Sequence, residues 1–294
     1  MTPADDDHRN VFRHSDEDAV IVAKDPDTPQ TRAPAYRLAF TDTEFLLREE
    51  LRPIRLQLEL LKPQLVMDER GVKTTVVMFG GARIPAPEDA ARARTPALAA
   101  LSHYYVEAER FARLITERSM ASYGHDWVIC TGGGPGVMEA GNKGAHEAGG
   151  QSIGLGIVLP HEQAPNLYVT PDLSFNFHYF VIRKMHFLMR ARAITVFPGG
   201  FGTLDELFET LTLIQTKRMK RLPFILFGRE FWESIINWQG LADAGTISAE
   251  DLDLITFVET ADEAIAAIDR FKGDDCAGGA VGGSGDPAGR AGTS

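Results

Sequence analysis

Short, continuously apolar runs alternate with helix-patterned segments through most of this chain: 74–79 (TTVVMF), 127–130, 152–159, 193–197 and 223–227. A strand that is apolar at every position is buried on both faces, as in a parallel sheet covered by helices. Helical patterns separate the runs at 96–119, 136–148, 179–192, 203–217, 230–241 and 261–271, and weaker strands at 173–177 and 254–258 complete the series. Another helical pattern covers 43–65, where Pro53 either kinks one helix or starts a second. The βαβα order requires right-handed crossovers and predicts an α/β fold, a doubly wound parallel sheet with helices on both faces. Ligands of such folds bind outside the carboxyl ends of the strands, where the strand order reverses. The loops after 74–79, 127–130 and 193–197 are therefore where a site is expected, and each is built on glycine.

The ends differ from the middle. Residues 1–35 mix acidic runs (Asp5, Asp6, Asp7; Asp16, Glu17, Asp18) with Pro26, Pro29 and Pro34. Such a segment buries too little apolar surface to offset its ordering entropy. Residues 273–294 hold eight glycines and almost nothing large. Both read as disordered tails around one folded domain, 36–272. The 30 Lys and Arg against 41 Asp and Glu give a formal charge of -11, which argues against a phosphate-backbone binder, so no nucleic-acid partner is expected. No apolar run approaches the roughly 18 residues of a membrane span, and the acidic N-terminus lacks a signal peptide's apolar stretch. A cytoplasmic protein without a membrane partner is expected. Cys130 and Cys276 cannot make a disulfide framework or a four-ligand zinc site, and no histidine has metal-ligand spacing, so no metal is expected.

The first loop is Gly80-Gly81-Ala82-Arg83. Its glycines let the backbone turn tightly and expose amides, and Arg83 could face a phosphate or a base; an ordinary turn with a surface arginine fits equally well. The second, Thr131 to Glu139, has three consecutive glycines ahead of a helix, so that backbone N–H groups converge on an anion. Glu139 stands where a dinucleotide fingerprint needs Gly or Ala, and a carboxylate there would repel a pyrophosphate. It suits ribose hydroxyls, or it is a first-turn capping carboxylate. The third, Pro198-Gly199-Gly200-Phe201-Gly202-Thr203, leads into Leu204-Asp205-Glu206. Thr203 is expected at N-cap or N1, where its hydroxyl and the nearby amides form a phosphate cradle. Glu206, three residues on, also fits a capping box, so spacing alone does not decide its role. Arg183 and Lys184 are adjacent and point about 100° apart on a helix, so one can face a ligand while the other faces solvent.

Gly80-Gly81-Ala82-Arg83, TGGGPGVMEAGNKGAHEAGG (131–150), SIGLGIVLPHEQAPN (152–166), Arg183-Lys184 and PGGFGTLDE (198–206) together resemble the LOG (Lonely Guy) family, whose members were often labelled possible lysine decarboxylases. The resemblance runs from about residue 74 to 260. It implies a Rossmann-like nucleotide-binding fold, usually a homodimer and without a cofactor. It also implies hydrolysis of the N-glycosidic bond of a nucleoside 5′-monophosphate, such as AMP or a cytokinin riboside 5′-monophosphate, to free base and ribose 5-phosphate. Carried over by motif, Arg183 and Glu206 look like the catalytic pair. Gly80, Arg83, Gly133, Gly134, Glu139, Lys184, Gly199, Gly200, Gly202 and Thr203 look like phosphate and nucleotide contacts.

The chemistry suits those residue types. Glycosidic hydrolysis passes through an oxocarbenium-like sugar, helped by negative charge near C1′ and a base for water. A phosphate held at a helix amino end supplies the remote binding energy that orients C1′. A pyridoxal decarboxylase would need a Schiff-base lysine with a partner for the ring nitrogen, and only Lys184 and Lys143 adjoin the expected site. The alternative from another class is a non-catalytic protein of this fold that binds a nucleotide or molybdenum cofactor. Capture of a phosphate alone would not require Arg183 together with Glu206.

Overall fold

The computed structural model describes residues 12–160 and 164–272. These fall into two compact units, one up to Glu59 and one from Leu60 on.

In the first unit the stretch expected to be a disordered tail carries local order. Helix α1 (Ser15–Val22) buries no side chain. Thr28 and Thr31 exchange hydrogen bonds through their hydroxyls and amides, and the Tyr36 hydroxyl donates to Asp25 at 2.8 Å. Polar side chains that bond nearby backbone or one another can order a segment that has no core. Residues 1–11 and the glycine-rich end, 273–294, lie outside the described residues. Helix α2 (Thr43–Leu46) is capped by the Asp42 carboxylate, which accepts from the Phe45 amide at 3.3 Å. Helix α3 (Arg52–Glu69) has Pro53 in its first turn, where the missing N–H costs nothing. The expected helix over 43–65 is thus two helices, and Pro53 begins the second.

The second unit is the α/β fold. Its strands are β1 (Thr75–Phe79), β2 (Val128–Thr131), β3 (Ser152–Ile157), β4 (Ser174–Phe177), β5 (Ala191–Val196), β6 (Phe224–Phe227) and β7 (Thr256–Val258). All pair in parallel, in the order β4-β3-β2-β1-β5-β6-β7. β1, β2 and β6 are buried at every position, as their unbroken apolar runs require. After β1 the chain builds outward on one side through β2, β3 and β4, then returns to pair β5 with the other edge of β1, so the order reverses at the centre. The helices are α4 (Pro96–Ala100), α5 (Ser102–Met120), α6 (Val137–Glu147), α7 (Phe180–Met189), α8 (Phe201–Gln215), α9 (Arg229–Ile235), α10 (Trp238–Asp243) and α11 (Ala261–Arg270). Two expected helices, 96–119 and 230–241, are each a pair, and the third strand stops at Ile157, short of 159. The core holds Phe111, Ile129, Phe197, Ile225 and Phe227, with Phe197 stacked on Phe227 at 4.0 Å between centroids. Cys130 of β2 is buried too, as its place in an apolar strand predicts.

Candidate active site

The loops after β1, β2 and β5 meet where the sheet order reverses. Between them opens a cavity of about 790 Å³. Its walls include Gly80 and Arg83 from the first loop, Gly134 from the second, and Gly199, Gly200, Gly202 and Thr203 from the third. Arg183 of α7 and Glu206 of α8 line it as well. Nine of the twelve residues singled out from the sequence are thus gathered around one space. The three that do not line it are Gly133, Glu139 and Lys184.

The third loop makes the most distinctive wall. α8 begins at Phe201 with Gly200 as its N-cap, two residues before the expected start at Thr203. The first helical bond of this end runs from the Leu204 amide to the Gly200 carbonyl at 3.0 Å. The amides of Phe201, Gly202 and Thr203 therefore have no acceptor within the helix, and all three residues line the cavity. A capping box with Thr203 as N-cap and Glu206 as N3 does not exist, because Glu206 is the sixth helical residue and the cap has no side chain. The reason is the pair Gly199-Gly200, which turns the chain at once and lets the helix start early. Gly199 cannot be larger: a Cβ there would land on the Thr203 hydroxyl and lie 3.0 Å from the Gly81 amide nitrogen. Gly199→Ala should push the turn off Thr203 and lower kcat/KM by at least about tenfold, roughly 1.4 kcal/mol. Steady-state kinetics on a variant shown to be folded checks this, and unchanged kinetics would remove the turn from the site.

Glu206 is only 8% exposed, and among the described residues nothing donates a hydrogen bond to its carboxylate. Burial pushes its carboxyl up to about 7; Arg183 and Lys184 pull it down, and Asp205 and Glu209 add to the rise. An α-helix rises about 1.5 Å per residue and its side chains lean toward the amino end, so Glu206 projects back toward the free amides from about one turn further in. Arg183 is held from two sides. Its Nε donates to the Leu155 carbonyl at 2.7 Å, and its guanidinium carbon lies 5.1 Å from the Phe187 ring centroid. It also passes so close to Gly132 that a Cβ there would lie 2.8 Å from its terminal nitrogen. The result is a fixed positive charge and a buried carboxyl group facing one cavity.

The remaining residues have other partners. Gly133 is buried with φ of +74°, and its carbonyl accepts from both the amide and the side chain of Asn166, at 2.8 and 3.1 Å. Asn166 also donates to the Gly134 carbonyl at 3.0 Å and to Asn142 at 2.9 Å, so it clamps the second glycine loop. Sequence reasoning did not single it out; its one signal is a place in the segment that follows the third strand. Glu139 lies in the first turn of α6, as expected, and accepts from the Tyr105 hydroxyl at 3.2 Å. Pro135 precedes the N-cap of that helix, Gly136. Lys184 pairs with Asp205 at 2.8 Å and Glu209 at 3.0 Å. Phe231 joins Leu98 and Phe180 as an apolar wall of the cavity.

A family model described as "Possible lysine decarboxylase" matches residues 138–268, which include Arg183 and the whole third loop. The pyrimidine/purine nucleotide 5′-monophosphate nucleosidase of Escherichia coli (strain K12) is 36% identical over 115 residues, 34% of this chain and 24% of that protein. The match thus spans about a quarter of the length of that relative. The cytokinin riboside 5′-monophosphate phosphoribohydrolase of Mycobacterium marinum is 28% identical over 149 residues, 48% of this chain and 76% of that protein. Among solved structures, the molybdenum cofactor binding protein of Rippkaea orientalis aligns at 20% identity over 67% of this chain and 96% of its own, with a TM-score of 0.44. The Arg-Lys pair and the motif PGGFGTLDE lie inside the residues that the family model matches, and over 138–268 the chain is similar to that family.

Proposed function

We propose that this chain hydrolyses the N-glycosidic bond of nucleoside 5′-monophosphates, AMP or a cytokinin riboside 5′-monophosphate among them, to release free base and ribose 5-phosphate. The observation that carries the reading is the buried carboxyl of Glu206 one turn inside a helix whose free amides open on a glycine-walled cavity. The relatives named for nucleotide nucleosidase and phosphoribohydrolase activity support it.

The 5′-phosphate docks on the free amides of Phe201, Gly202 and Thr203, where backbone donors and the helix dipole favour an anion. The sugar then reaches along α8 to Glu206. As the bond from C1′ to the base nitrogen breaks, its electron pair leaves with the base and positive charge develops at C1′, which the Glu206 carboxylate stabilises. Water attacks C1′ and passes its proton to that carboxylate; the departing base is protonated in turn. Arg183 does not face the developing cation to advantage, since like charges repel. It binds phosphate or base and fixes the site. The apolar wall of Phe231, Leu98 and Phe180 suits a planar base.

A phosphate carrier has no use for a buried carboxyl beside the sugar, which favours catalysis over capture. The lysines do not fit a Schiff-base enzyme. Lys143 is raised by its hydrogen bond to Glu109, 2.9 Å away. Burial pulls Lys184 down, but its contacts with Asp205 and Glu209 outweigh this and leave it raised. Both ammoniums are held in the protonated, non-nucleophilic form, whereas imine formation requires a lowered pKa. The reading includes a homodimer and a cytoplasmic setting. α7 leaves Phe180, Val181, Met185 and Met189 exposed and α8 leaves Phe208 exposed, an apolar surface suited to a second copy. Among the described residues no helix is long and apolar enough to cross a membrane.

Incubation with AMP should yield equal amounts of adenine and ribose 5-phosphate, measured by chromatography; a panel of monophosphates ranks the bases. No product from any of them would overturn the reading. Because Glu206 must be ionised to act and its carboxyl is held up at about 7, kcat/KM should rise with pH through that value and level off above it. A profile still flat down to pH 5 would exclude Glu206 as the base.

A further inference from the structure

Lys184 follows Arg183 on α7 but does not line the cavity. Its side chain is 17% exposed, and its ammonium lies 2.8 Å from Asp205 and 3.0 Å from Glu209. Among the described residues no other cation comes within 4.0 Å of either carboxylate. α8 thus carries three acids in little more than one turn, Asp205, Glu206 and Glu209, with the buried Glu206 between the other two in sequence. Neighbouring negative charges each make a carboxyl hold its proton more tightly, and a nearby ammonium has the opposite effect. Partly exposed ion pairs add little to stability, so a clamp between two helices is not the main consequence of this arrangement.

We propose that Lys184 is a positioning residue for the hydrolytic carboxylate: by ion-pairing Asp205 and Glu209 it cancels the two negative charges that flank Glu206, so that Glu206 can ionise, and it does not itself touch the substrate. This rests on the reading of Glu206 as the catalytic base. The charged groups that act on Glu206 come from two elements, Arg183 and Lys184 from α7, and Asp205 and Glu209 from α8. Arg183 works from the cavity side, where the Leu155 carbonyl and the Phe187 ring hold it. Lys184 works from the other side, through the two outer acids. The adjacency of the two basic residues in sequence is what lets one helix serve both sides, since neighbours on a helix diverge by about 100°.

The test compares pH profiles. Lys184→Met removes a cation and unmasks two anions, so the acid limb of kcat/KM should move up by about one pH unit, and the ratio of rates at pH 6.5 and pH 9 should fall about tenfold. Lys184→Arg should keep the ratio within about twofold of the parent. Asp205→Asn with Glu209→Gln in the otherwise native chain should move the limb down, which keeps the proposal open to test if the methionine variant does not fold. A raised KM with an unmoved limb would mean that Lys184 binds the substrate phosphate, and would overturn the proposal. So would a loss equal at every pH. Titration of the glutamate carboxyl carbons by ¹³C NMR, with Glu206→Gln to assign the resonance, gives a reading independent of turnover. If the Glu206 midpoint rises in Lys184→Met while no monophosphate is cleaved, the electrostatic role stands and the hydrolase reading falls.

Discussion

Glu206→Gln should abolish hydrolysis and make the protein more stable. The kinetic loss is expected to be about a thousandfold in kcat, near 4 kcal/mol, because an amide can neither take a proton from water nor place negative charge beside C1′. KM should change little, since in the proposed mechanism the phosphate docks on the amides of Phe201, Gly202 and Thr203 and not on this side chain. The stability change has the opposite sign. In the unfolded chain Glu206 gives up its proton near its ordinary value of 4.5, and in the folded protein near 7. Below 4.5 the group is neutral in both states and costs nothing. As pH rises from 4.5 to 7 the unfolded state ionises first and is favoured, and above 7 the folded state carries a buried charge worth about 3 kcal/mol of lost stability. Glutamine removes that charge. Thermal melts should show the variant and parent alike near pH 4.5, with the variant ahead by several degrees at pH 8. A variant that is less stable at pH 8 would mean that the carboxylate is compensated in the fold and is not poised for chemistry.

Arg183→Ala should lower kcat/KM by about a hundredfold, near 3 kcal/mol. The guanidinium is immobilised before any substrate arrives, by the Leu155 carbonyl at 2.7 Å and the face of Phe187, so its charge is placed without an ordering cost. Its removal costs twice: the cavity loses its fixed cation, and Glu206 loses one of the two charges that pull its carboxyl down, so the acid limb should also move up. The substitution Arg183→Lys would retain the charge but not the planar fork that bonds Leu155, and should recover only part of the loss. An effect under about tenfold in the alanine variant would relegate Arg183 to the scaffold.

Much of this architecture can be read from local pattern. The runs at 74–79, 127–130, 193–197 and 223–227 are apolar at successive positions because both faces of their strands are covered, and all four lie inside the sheet. The glycine loops at their carboxyl ends could be found for the same reason, since a parallel sheet brings those ends to one side. What pattern does not carry is the exact phase of each helix and the partners that reach it from far away. The start of α8 at Phe201 depends on the turn at Gly199 against Gly81, which is a tertiary contact. That two-residue difference moves Glu206 from a cap position to the cavity. Lys184 finds its carboxylates across two helices, and Asn166 closes on a loop more than thirty residues earlier in the chain. The helix α1 was hidden by composition, because local polar hydrogen bonds can order a segment that buries nothing.

The most direct test is a crystal structure of the Glu206→Gln variant with AMP bound. The phosphate is expected on the free amides of Phe201, Gly202 and Thr203, with the residue 206 side chain beside C1′. A phosphate lodged at another loop, or a residue 206 side chain turned away from the ribose, would contradict the proposed mechanism.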